Sequence, residues 1–255
     1  MTSRSLRLLS YNIHAATGIR RPHHYVTYGW RHLLPDPWRR ARLDRIGRLL
    51  SQYDIVSLQE IDAGSYRSQF LNQAEYIASH SEHPHWHLQV NRRYGRFAQQ
   101  GIALLSRFKP HRIDEHMLPG LLPGRGATAG YFGADYCPLV VISAHLSLGY
   151  RSRRQQLDYL AAVADAHRYV VILGDFNCTE HQLLEHTGLV RAGMLPVLAF
   201  GGTFPTWRPQ RNLDHILVSD TLQVVDVDVL SHDDSDHLPI AVTVRVPDEV
   251  AVALD

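Results

Sequence analysis

The residues in this chain that are best suited to chemistry stand where apolar segments begin or end. A carboxylate, an amide or an imidazole borders each of five such segments. Carboxylate and amide oxygens are hard donors that suit a divalent cation, and imidazoles beside them suit an anionic substrate. The sequence therefore predicts one metal-assisted site built from distant parts of the chain. The residues at these borders are Asn12, His14, Glu60, His145, Asp175, Asn177, Asp236 and His237.

Five strands must position these residues. The apolar segments at 6–11, 55–59, 139–144, 170–174 and 238–242 are short and rich in β-branched residues, which is typical of buried strands. In open α/β sheets, ligands bind at the ends of strands. We therefore expect the five strand ends to meet at one site.

The two-residue period of a strand predicts which way these side chains face. Val56, Leu58 and Glu60 should share one face of their strand. Asn177 follows Asp175 by two positions and should lie on the same side of an extended chain.

The segment that begins at Asp214 carries the same period. Ile216 and Val218 share its predicted face, so an unpaired carboxylate buried there would be costly. We therefore expect Asp214 to have a partner such as His237. His215 points to the opposite face and is expected to be packed or hydrogen-bonded.

The other elements predict the fold class. Helices are predicted at about 37–50, 67–80 and 151–166, and Asp36 is the expected cap of the first. Consecutive strands without intervening helices favour antiparallel pairing over a doubly wound parallel sheet. The predicted class is α/β (α+β), with two mixed, mostly antiparallel sheets face to face and helices outside. The further strands are predicted near 87–90, 101–106, 111–116, 126–132, 213–219, 224–230 and 240–246.

The composition predicts one domain. The chain has 255 residues, of which 45% are hydrophobic and 20% are charged, and no linker or repeat divides it. We assign one domain to 1–247 and a short tail to 248–255. Because there is no apolar stretch of about 18 residues and no evident signal peptide, we expect a cytoplasmic protein without a membrane span. We also expect a monomer with two reduced cysteines, Cys137 and Cys178.

The near-zero net charge conceals an asymmetry between the two ends. Residues 1–50 hold ten arginines and two aspartates, whereas residues 211–255 hold two arginines and ten acidic residues. The two blocks could face each other or bind different partners. The segment 20–32 mixes arginines with aromatic residues and could meet phosphates and bases, or a lipid head group, or be a solvated loop.

Seven short motifs occur in order along residues 11–239. As a set, they resemble the endonuclease/exonuclease/phosphatase family, which has the deoxyribonuclease-I-like fold, and within it a small bacterial branch. The resemblance implies a four-layer α/β/β/α sandwich and metal-dependent cleavage of phosphate esters. The motifs are Tyr11-Asn-Ile-His14, Leu58-Gln-Glu60, Gly101-Ile-Ala-Leu-Leu-Ser-Arg107, Ser143-Ala-His145, Gly174-Asp-Phe-Asn177, Leu213-Asp-His-Ile-Leu217 and Ser235-Asp-His-Leu-Pro239.

The resemblance also implies a metal site. Glu60 is the implied principal ligand of one Mg²⁺ or Mn²⁺ ion, and Asn12 contacts or positions that metal. Asp236 is implied as a further ligand or as part of a second, weaker site.

The catalytic roles come from the same resemblance. Asp175 is implied to orient or deprotonate the attacking water, and Asn177 to hold a phosphoryl oxygen. Asp214 and His237 resemble an Asp–His pair in which the carboxylate fixes the imidazole tautomer and stabilises its cation. His145 is the implied second imidazole, which binds substrate and either stabilises the transition state or protonates the leaving oxygen.

Two departures from the family pattern affect this transfer of roles. Ile102 stands where the family commonly has an asparagine, which removes a polar contact to substrate. His14 stands where nuclease branches often have an acidic residue, and a contact to the metal through water is the role we consider for it.

The substrate stays open between a nucleic acid and a lipid or small phosphodiester. Tyr25, Tyr28 and Trp30, with the nearby arginines, favour a nuclease because such aromatics can stack on bases. The segment 118–126, in which Arg125 is a candidate substrate-binding residue, is more similar to sphingomyelinase-type lipid phosphodiesterases. No exposed aromatic hairpin for membrane docking is evident from the sequence, yet peripheral membrane contact is compatible with it. We favour the lipid or small-molecule phosphodiester; the third alternative is an inactive phosphate-binding module.

Overall fold

The computed structural model describes residues 4–121, 124–199 and 201–251. In these residues, twelve strands form two six-stranded sheets. Numbered along the chain, the strands are β1 (Arg4–Asn12), β2 (Ile55–Asp62), β3 (His85–Tyr94), β4 (Ala98–Ser106), β5 (Arg112–Met117), β6 (Gly126–Phe132), β7 (Leu139–His145), β8 (Tyr169–Asp175), β9 (Met194–Pro196), β10 (Asp214–Ser219), β11 (Gln223–Val229) and β12 (Ile240–Val246).

The two sheets are mixed and mostly antiparallel, as predicted. The first has the strand order β11-β12-β1-β2-β4-β3, and the second has the order β5-β6-β7-β8-β10-β9. The pairs β1–β2 and β7–β8 are parallel, and the other described pairs are antiparallel. Each parallel pair requires a crossover, and the chain between its two strands contains the main helix of that side.

The helices are mostly short. Three segments form 3₁₀ turns, at His14–Ala16, Gly29–His32 and Tyr66–Ser68. The α-helices are α1 (His24–Thr27), α2 (Arg39–Leu50), α3 (Gln73–His80), α4 (Tyr150–Asp165), α5 (Glu180–Leu184), α6 (Thr187–Arg191) and α7 (Asp248–Ala251).

Alternation along the strands produces the four layers. Leu8 of β1 packs between the sheets, whereas its neighbour Leu9 packs outward against α2 and α3. In the same way, Val171 of β8 faces the first sheet, and Ile172 faces the outer core that includes α4 and α6. One helical layer therefore covers each sheet, which confirms the predicted α/β/β/α sandwich.

Two helix predictions were wrong in detail. The helix expected from Pro37 begins at Arg39, and Asp36 does not cap it through the usual N-cap position. Asp36 is instead buried in an ion pair with Arg42, with Arg31 also close to it. The helix expected at 67–80 is interrupted because Gln69 and Phe70 adopt left-handed backbone angles, so α3 begins only after Asn72, whose side chain caps it.

No helix among the described residues combines the length and apolar character needed to cross a bilayer. The C-terminal residues 248–251 form one helical turn, and Val250 packs into the core between the sheets. Cys137 and Cys178 form no disulfide bond, and Cys178 is buried.

Candidate active site

Strand register places three functional side chains next to one another on the second sheet. His145, the last residue of β7, is paired with Asp175, the last residue of β8. Asp175 is in turn paired with Asp214, the first residue of β10. Because paired residues on adjacent strands point to the same face, the three side chains form one row at this edge of the sheet.

The first sheet contributes Asn12 and Glu60 from the ends of its parallel pair, β1 and β2. The pairing of β2 with β4 shifts register between Gln59 and Ile61, so Glu60 is the extra residue of a β-bulge. Its φ of 54° lies in the left-handed region. The prediction that Glu60 shares a face with Val56 and Leu58 is therefore wrong, because the bulge reverses the alternation.

The bulge directs Glu60 towards the second sheet. Its Oε1 lies 3.9 Å from Nε2 of His145, which lies 3.5 Å from Oδ2 of Asp175. Nδ2 of Asn12 donates to the same Asp175 oxygen at 3.0 Å. One short chain of contacts therefore connects the two sheets through four of the predicted residues.

Asp214 and His237 form the expected pair. His237 Nδ1 lies 2.8 Å from Asp214 Oδ2, and both side chains are buried. Burial alone would lower the pKa of His237, but the charge and hydrogen bond of Asp214, together with the Asp175 and Asp236 carboxylates, outweigh burial and raise the pKa to about 10. The imidazole is therefore a cation at neutral pH, which suits it to stabilise negative charge and not to accept a proton.

Asp236 has partners that the sequence did not predict. His14 Nδ1 lies 3.0 Å from Asp236 Oδ1, and the Tyr25 hydroxyl donates to Asp236 Oδ2 at 2.6 Å. Tyr25 lies in α1, and its ring also meets that of Trp207 edge to face at 6.0 Å. Tyr25 was considered from the sequence only as a residue that stacks on bases; no local pattern indicates its contact with a carboxylate 211 residues away.

Asn177 and Arg125 complete the predicted set. The backbone at Asn177 is left-handed, with φ of 52°, so the prediction from an extended chain does not apply. Its Nδ2 donates to the carbonyl of Leu146 at 3.0 Å, which holds the amide beside the end of β7. The Arg125 guanidinium contacts Nε2 of His145 directly.

The environments of Asp175 and His145 shift their pKa values in opposite directions. Burial, together with the Asp214 and Glu60 carboxylates, raises the pKa of Asp175 to about 7. Burial and the positive charge of Arg125 lower the pKa of His145 well below 6.5. At neutral pH the site therefore holds a carboxyl that can exchange a proton and an uncharged imidazole.

The donor set fits a divalent cation. Several carboxylates meet here, and those of Asp214 and Glu60 add to the burial that raises the pKa of Asp175. Asp214 Oδ1 is buried without a hydrogen-bond partner, and the Glu60 side chain is 23% exposed. Among the described residues, Asp175, Asp214 and His237 place ligand atoms within 4.8 Å of one another. His237 already shares its proton with Asp214, so the anionic oxygens are the better ligands for a hard cation.

The arginine-rich N-terminal segment faces the acidic C-terminal block. Arg20 pairs with Asp233 and Asp234, and Arg45 Nε donates to Asp234 at 2.8 Å. Arg31 is buried and donates to the carbonyl of Thr17 at 3.0 Å. Two of the arginines considered for phosphate contact are thus committed to the protein's own structure.

The fold is also that of known enzymes. Over 95% of this chain and 72% of the other, it matches an endonuclease/exonuclease/phosphatase from Beutenbergia cavernae with a TM-score of 0.76 at 18% identity. A mannosyl-6-phosphatase from Bacteroides thetaiotaomicron matches with a TM-score of 0.70 at 19% identity, over 94% of this chain and 100% of that one. Sphingomyelinase C from Streptomyces griseocarneus matches with a TM-score of 0.65 at 15% identity, over 94% and 99%.

These identities establish similarity of fold alone. A sequence comparison with curated proteins gives no match. The family-level sequence signal is nevertheless extensive and includes every strand end described above. The model of the Endonuclease/Exonuclease/phosphatase family matches residues 9–237, so the chain belongs to this family of hydrolases that act on phosphate esters.

Proposed function

We propose that this protein is a divalent-metal-dependent phosphodiesterase that hydrolyses a lipid or small-molecule phosphodiester by attack of water on phosphorus. The observation that carries the proposal is the row of His145, Asp175 and Asp214 on one sheet, joined by Asn12 and Glu60 from the other. Asp175 is the proton acceptor of this arrangement, and His237, held by Asp214, is its buried cation. Both lie within a few ångströms of the oxygens that could ligate a metal ion.

Glu60, Asn12 and Asp236 are the residues that would hold the metal ion. When bound, Mg²⁺ or Mn²⁺ supplies positive charge that offsets charge on the phosphoryl oxygens. His14 and Tyr25 keep both oxygens of Asp236 oriented, because each contacts a different one.

Asp175 is the proposed acceptor of the proton from the attacking water. A pKa of about 7 is close to the optimum for a general base at neutral pH. Asn12 donates to its Oδ2, and the backbone N–H of Asn177 donates to its Oδ1 at 3.0 Å, so the carboxylate is fixed in position. The side-chain amide of Asn177 lies just beyond the end of β8, beside the position proposed for the substrate.

His237 and His145 are proposed to act on the phosphoryl group in different charge states. The His237 cation, held by Asp214, stabilises negative charge that develops in the transition state. His145 is neutral, so in this role it orients the substrate through hydrogen bonding, and the adjacent Arg125 guanidinium supplies the charge.

A compact head group is favoured over a polynucleotide. A polynucleotide groove needs several free cations along its length. Arg20 is neutralised by Asp233 and Asp234, and Arg31 is buried against the protein's own carbonyl groups and Asp36. These arginines therefore do not supply the groove that the nuclease alternative requires.

An activity panel tests the proposal. Purified protein with Mg²⁺ or Mn²⁺, and with EDTA as the metal-free arm, is assayed on a chromogenic diester, sphingomyelin, phosphoinositides, plasmid DNA and RNA. We expect metal-dependent cleavage of the chromogenic diester and of at least one lipid. Cleavage confined to DNA or RNA would replace the proposal with the nuclease function. Phosphate binding without turnover of any substrate would replace it with the binding module.

A matched pair of variants identifies the site. Glu60→Gln removes a candidate ligand charge, whereas Glu115→Gln makes the same change on the exposed strand β5. Activity should be lost only in the first.

A further inference from the structure

Three aromatic side chains form an exposed cluster between the 3₁₀ turn at Tyr66–Ser68 and the β3–β4 hairpin. Tyr66, Phe70 and Phe97 are 41%, 62% and 55% exposed. The Tyr66 ring centroid lies 6.3 Å from that of Phe70 and 6.2 Å from that of Phe97. Contiguous apolar surface of this kind commonly marks a site of interaction.

The backbone holds these rings outward. Tyr66 N–H donates to the Arg96 carbonyl at 2.9 Å, and Arg67 N–H donates to the Phe97 carbonyl at 3.1 Å, which fastens the turn to the hairpin tip. Phe70 has a φ of 61°, in the left-handed region that bulky residues rarely occupy. The fold therefore holds the Phe70 ring in solvent although the left-handed backbone conformation is unfavourable for this residue.

Three exposed arginines border the cluster. Arg92, Arg93 and Arg96 lie on the same hairpin, and the Arg92 guanidinium is 4.8 Å from the centroid of the exposed Tyr94 ring. Segments 63–74 and 91–101 contain no acidic residue. Among the described residues, none of these three arginines pairs with a carboxylate, in contrast to Arg20 and Arg45. We call this surface the aromatic–arginine rim, comprising Tyr66, Phe70, Arg92, Arg93, Tyr94, Arg96 and Phe97.

The rim adjoins the candidate active site from two directions. A Cβ atom at Gly124 would lie 3.1 Å from Cδ of Arg92, and the next residue, Arg125, reaches His145. On the other side, the Ser65 hydroxyl donates at 2.7 Å to Asp62, two residues beyond Glu60. The rim is therefore connected to the site through Gly124 and Arg125 on one side and through the buried Ser65 and Asp62 on the other.

We propose that the aromatic–arginine rim docks the protein onto an anionic lipid bilayer. Aromatic side chains insert at the headgroup level, and arginines beside them are attracted to anionic lipids. The proposal rests on the proposed function, because it places the active site over a lipid phosphodiester. It extends that function by naming the surface through which the substrate is reached.

The ring geometry favours a bilayer over a nucleic acid. Tyr66 and Phe70 meet at 68°, and Tyr66 and Phe97 meet at 87°, so the rings pack edge to face. Single-stranded nucleic acids instead need ring faces on which successive bases stack. The exposed Leu33 and Leu34, which follow the His32 carbonyl contacted by Arg67, add aliphatic surface that cannot stack.

Vesicle binding of the full chain, measured by co-sedimentation with EDTA present, tests the docking surface without any turnover. The vesicles are phosphatidylcholine alone or phosphatidylcholine with about a third phosphatidylserine. We expect binding to the anionic vesicles that weakens as salt is raised. The triple variant Arg92→Gln/Arg93→Gln/Arg96→Gln should reduce the partition coefficient by about a hundredfold, roughly fivefold for each arginine. The variant Tyr66→Ser/Phe70→Ser/Phe97→Ser should reduce it by about tenfold or more.

The control is Tyr136→Ser, which removes an exposed aromatic ring between β6 and β7, at the opposite end of β7 from His145. It should bind vesicles like the wild type, and both triple variants should keep wild-type hydrolysis of a soluble chromogenic diester, which shows that they fold.

Absence of vesicle binding with normal hydrolysis of that diester would overturn the docking proposal and leave the proposed function intact. Vesicle binding that is unaffected by both triple variants would also overturn it. If the wild type bound a labelled single-stranded oligonucleotide but no vesicles, and both triple variants lost the oligonucleotide, the rim would be assigned to nucleic acid instead.

Discussion

The charge of Asp214 is the feature of the site whose removal has the most specific consequence. In Asp214→Asn, the amide oxygen can still accept the proton of His237 Nδ1, which lies 2.8 Å from the carboxylate. The unpartnered Oδ1 position can take the new amide nitrogen. The substitution therefore removes the negative charge while leaving space and tautomer unchanged.

The magnitude follows from the pKa of His237. The surroundings raise it from 6.5 to about 10, with Asp214 as the largest of the effects that raise it. A difference of this size corresponds to about 5 kcal/mol in favour of the cation. Without that charge, burial is opposed by the smaller effects of the Asp175 and Asp236 carboxylates, so the pKa of His237 should fall. The fraction of the ring that is a cation at pH 8 should therefore decrease.

The assay is an NMR titration of the histidine ring signals in metal-free protein, combined with turnover of a chromogenic diester. The wild-type signal of His237 should titrate near pH 10, whereas the signal of the variant should titrate at a clearly lower pH. Turnover should fall by about 10²–10³-fold, as is typical when one preorganised group that stabilises transition-state charge is removed. Asp158→Asn, which alters the exposed carboxylate of an Asp–His pair with His186 at 3.2 Å, should leave turnover unchanged.

A double variant isolates the pairing. If Asp214 acts through His237, the effects of Asp214→Asn and His237→Ala should not multiply when combined. A variant in which His237 still titrates near pH 10, or a double variant whose loss equals the product of the single losses, would refute the reasoning.

Three further predictions concern metal binding, the effect of acid on stability, and the ion pairs that Arg20 and Arg45 form with Asp234. Glu60→Gln should weaken Mg²⁺ binding by at least about tenfold in isothermal titration calorimetry, because it removes a charged ligand; unchanged binding would exclude Glu60 as a ligand. Burial lowers the pKa of His83 to about 4, so the contribution of His83 to the unfolding free energy should fall by about 2 kcal/mol between pH 7.5 and pH 5, where this residue gains a proton only in the unfolded chain. Urea titrations measure this loss, and His83→Gln should reduce it. Asp234→Asn should destabilise the protein by about 1–2 kcal/mol because Arg20 and Arg45 lose the buried carboxylate that they share, whereas the exposed Asp233→Asn should cost under about 1 kcal/mol.

The strand-end residues could be predicted because their signal is local. A run of apolar residues that stops at Asp175 or His145 indicates both the strand and the residue at its end. Register then follows from pairing, and the structure places these two residues opposite each other on neighbouring strands. The four-layer fold could be predicted for the same reason, since strands and helices each have their own period.

Departures from regular periods could not be predicted in this way. The bulge at Glu60 inserts one residue, and nothing in the two-residue period signals it. The left-handed residues Gln69 and Phe70 interrupt a segment whose sequence alone is compatible with one helix. The exposed hairpin aromatics were not evident either, because the same residue types in a strand pattern equally indicate a core face.

Charge counting left two alternatives open, because the basic and acidic blocks could face each other or bind different partners. The structure pairs Arg20 with Asp234 and buries Arg31 and Arg42 around Asp36. Sequence counts formal charge, whereas attraction of an anion depends on charge that is still free after folding.

The charged side chains that folding leaves unpaired differ between the active site and the surface around it. Folding neutralises the basic block near Asp234, so that side of the site offers little attraction to a polyanion. Arg125 remains next to His145, where one cation is enough for one phosphate group. Arg92, Arg93 and Arg96, which pair with no carboxylate among the described residues, lie outside the site among exposed aromatic rings. Arg125 and the His237 cation inside the site, with arginines beside apolar surface outside it, fit the proposed hydrolysis of a single phosphodiester at an interface that carries many.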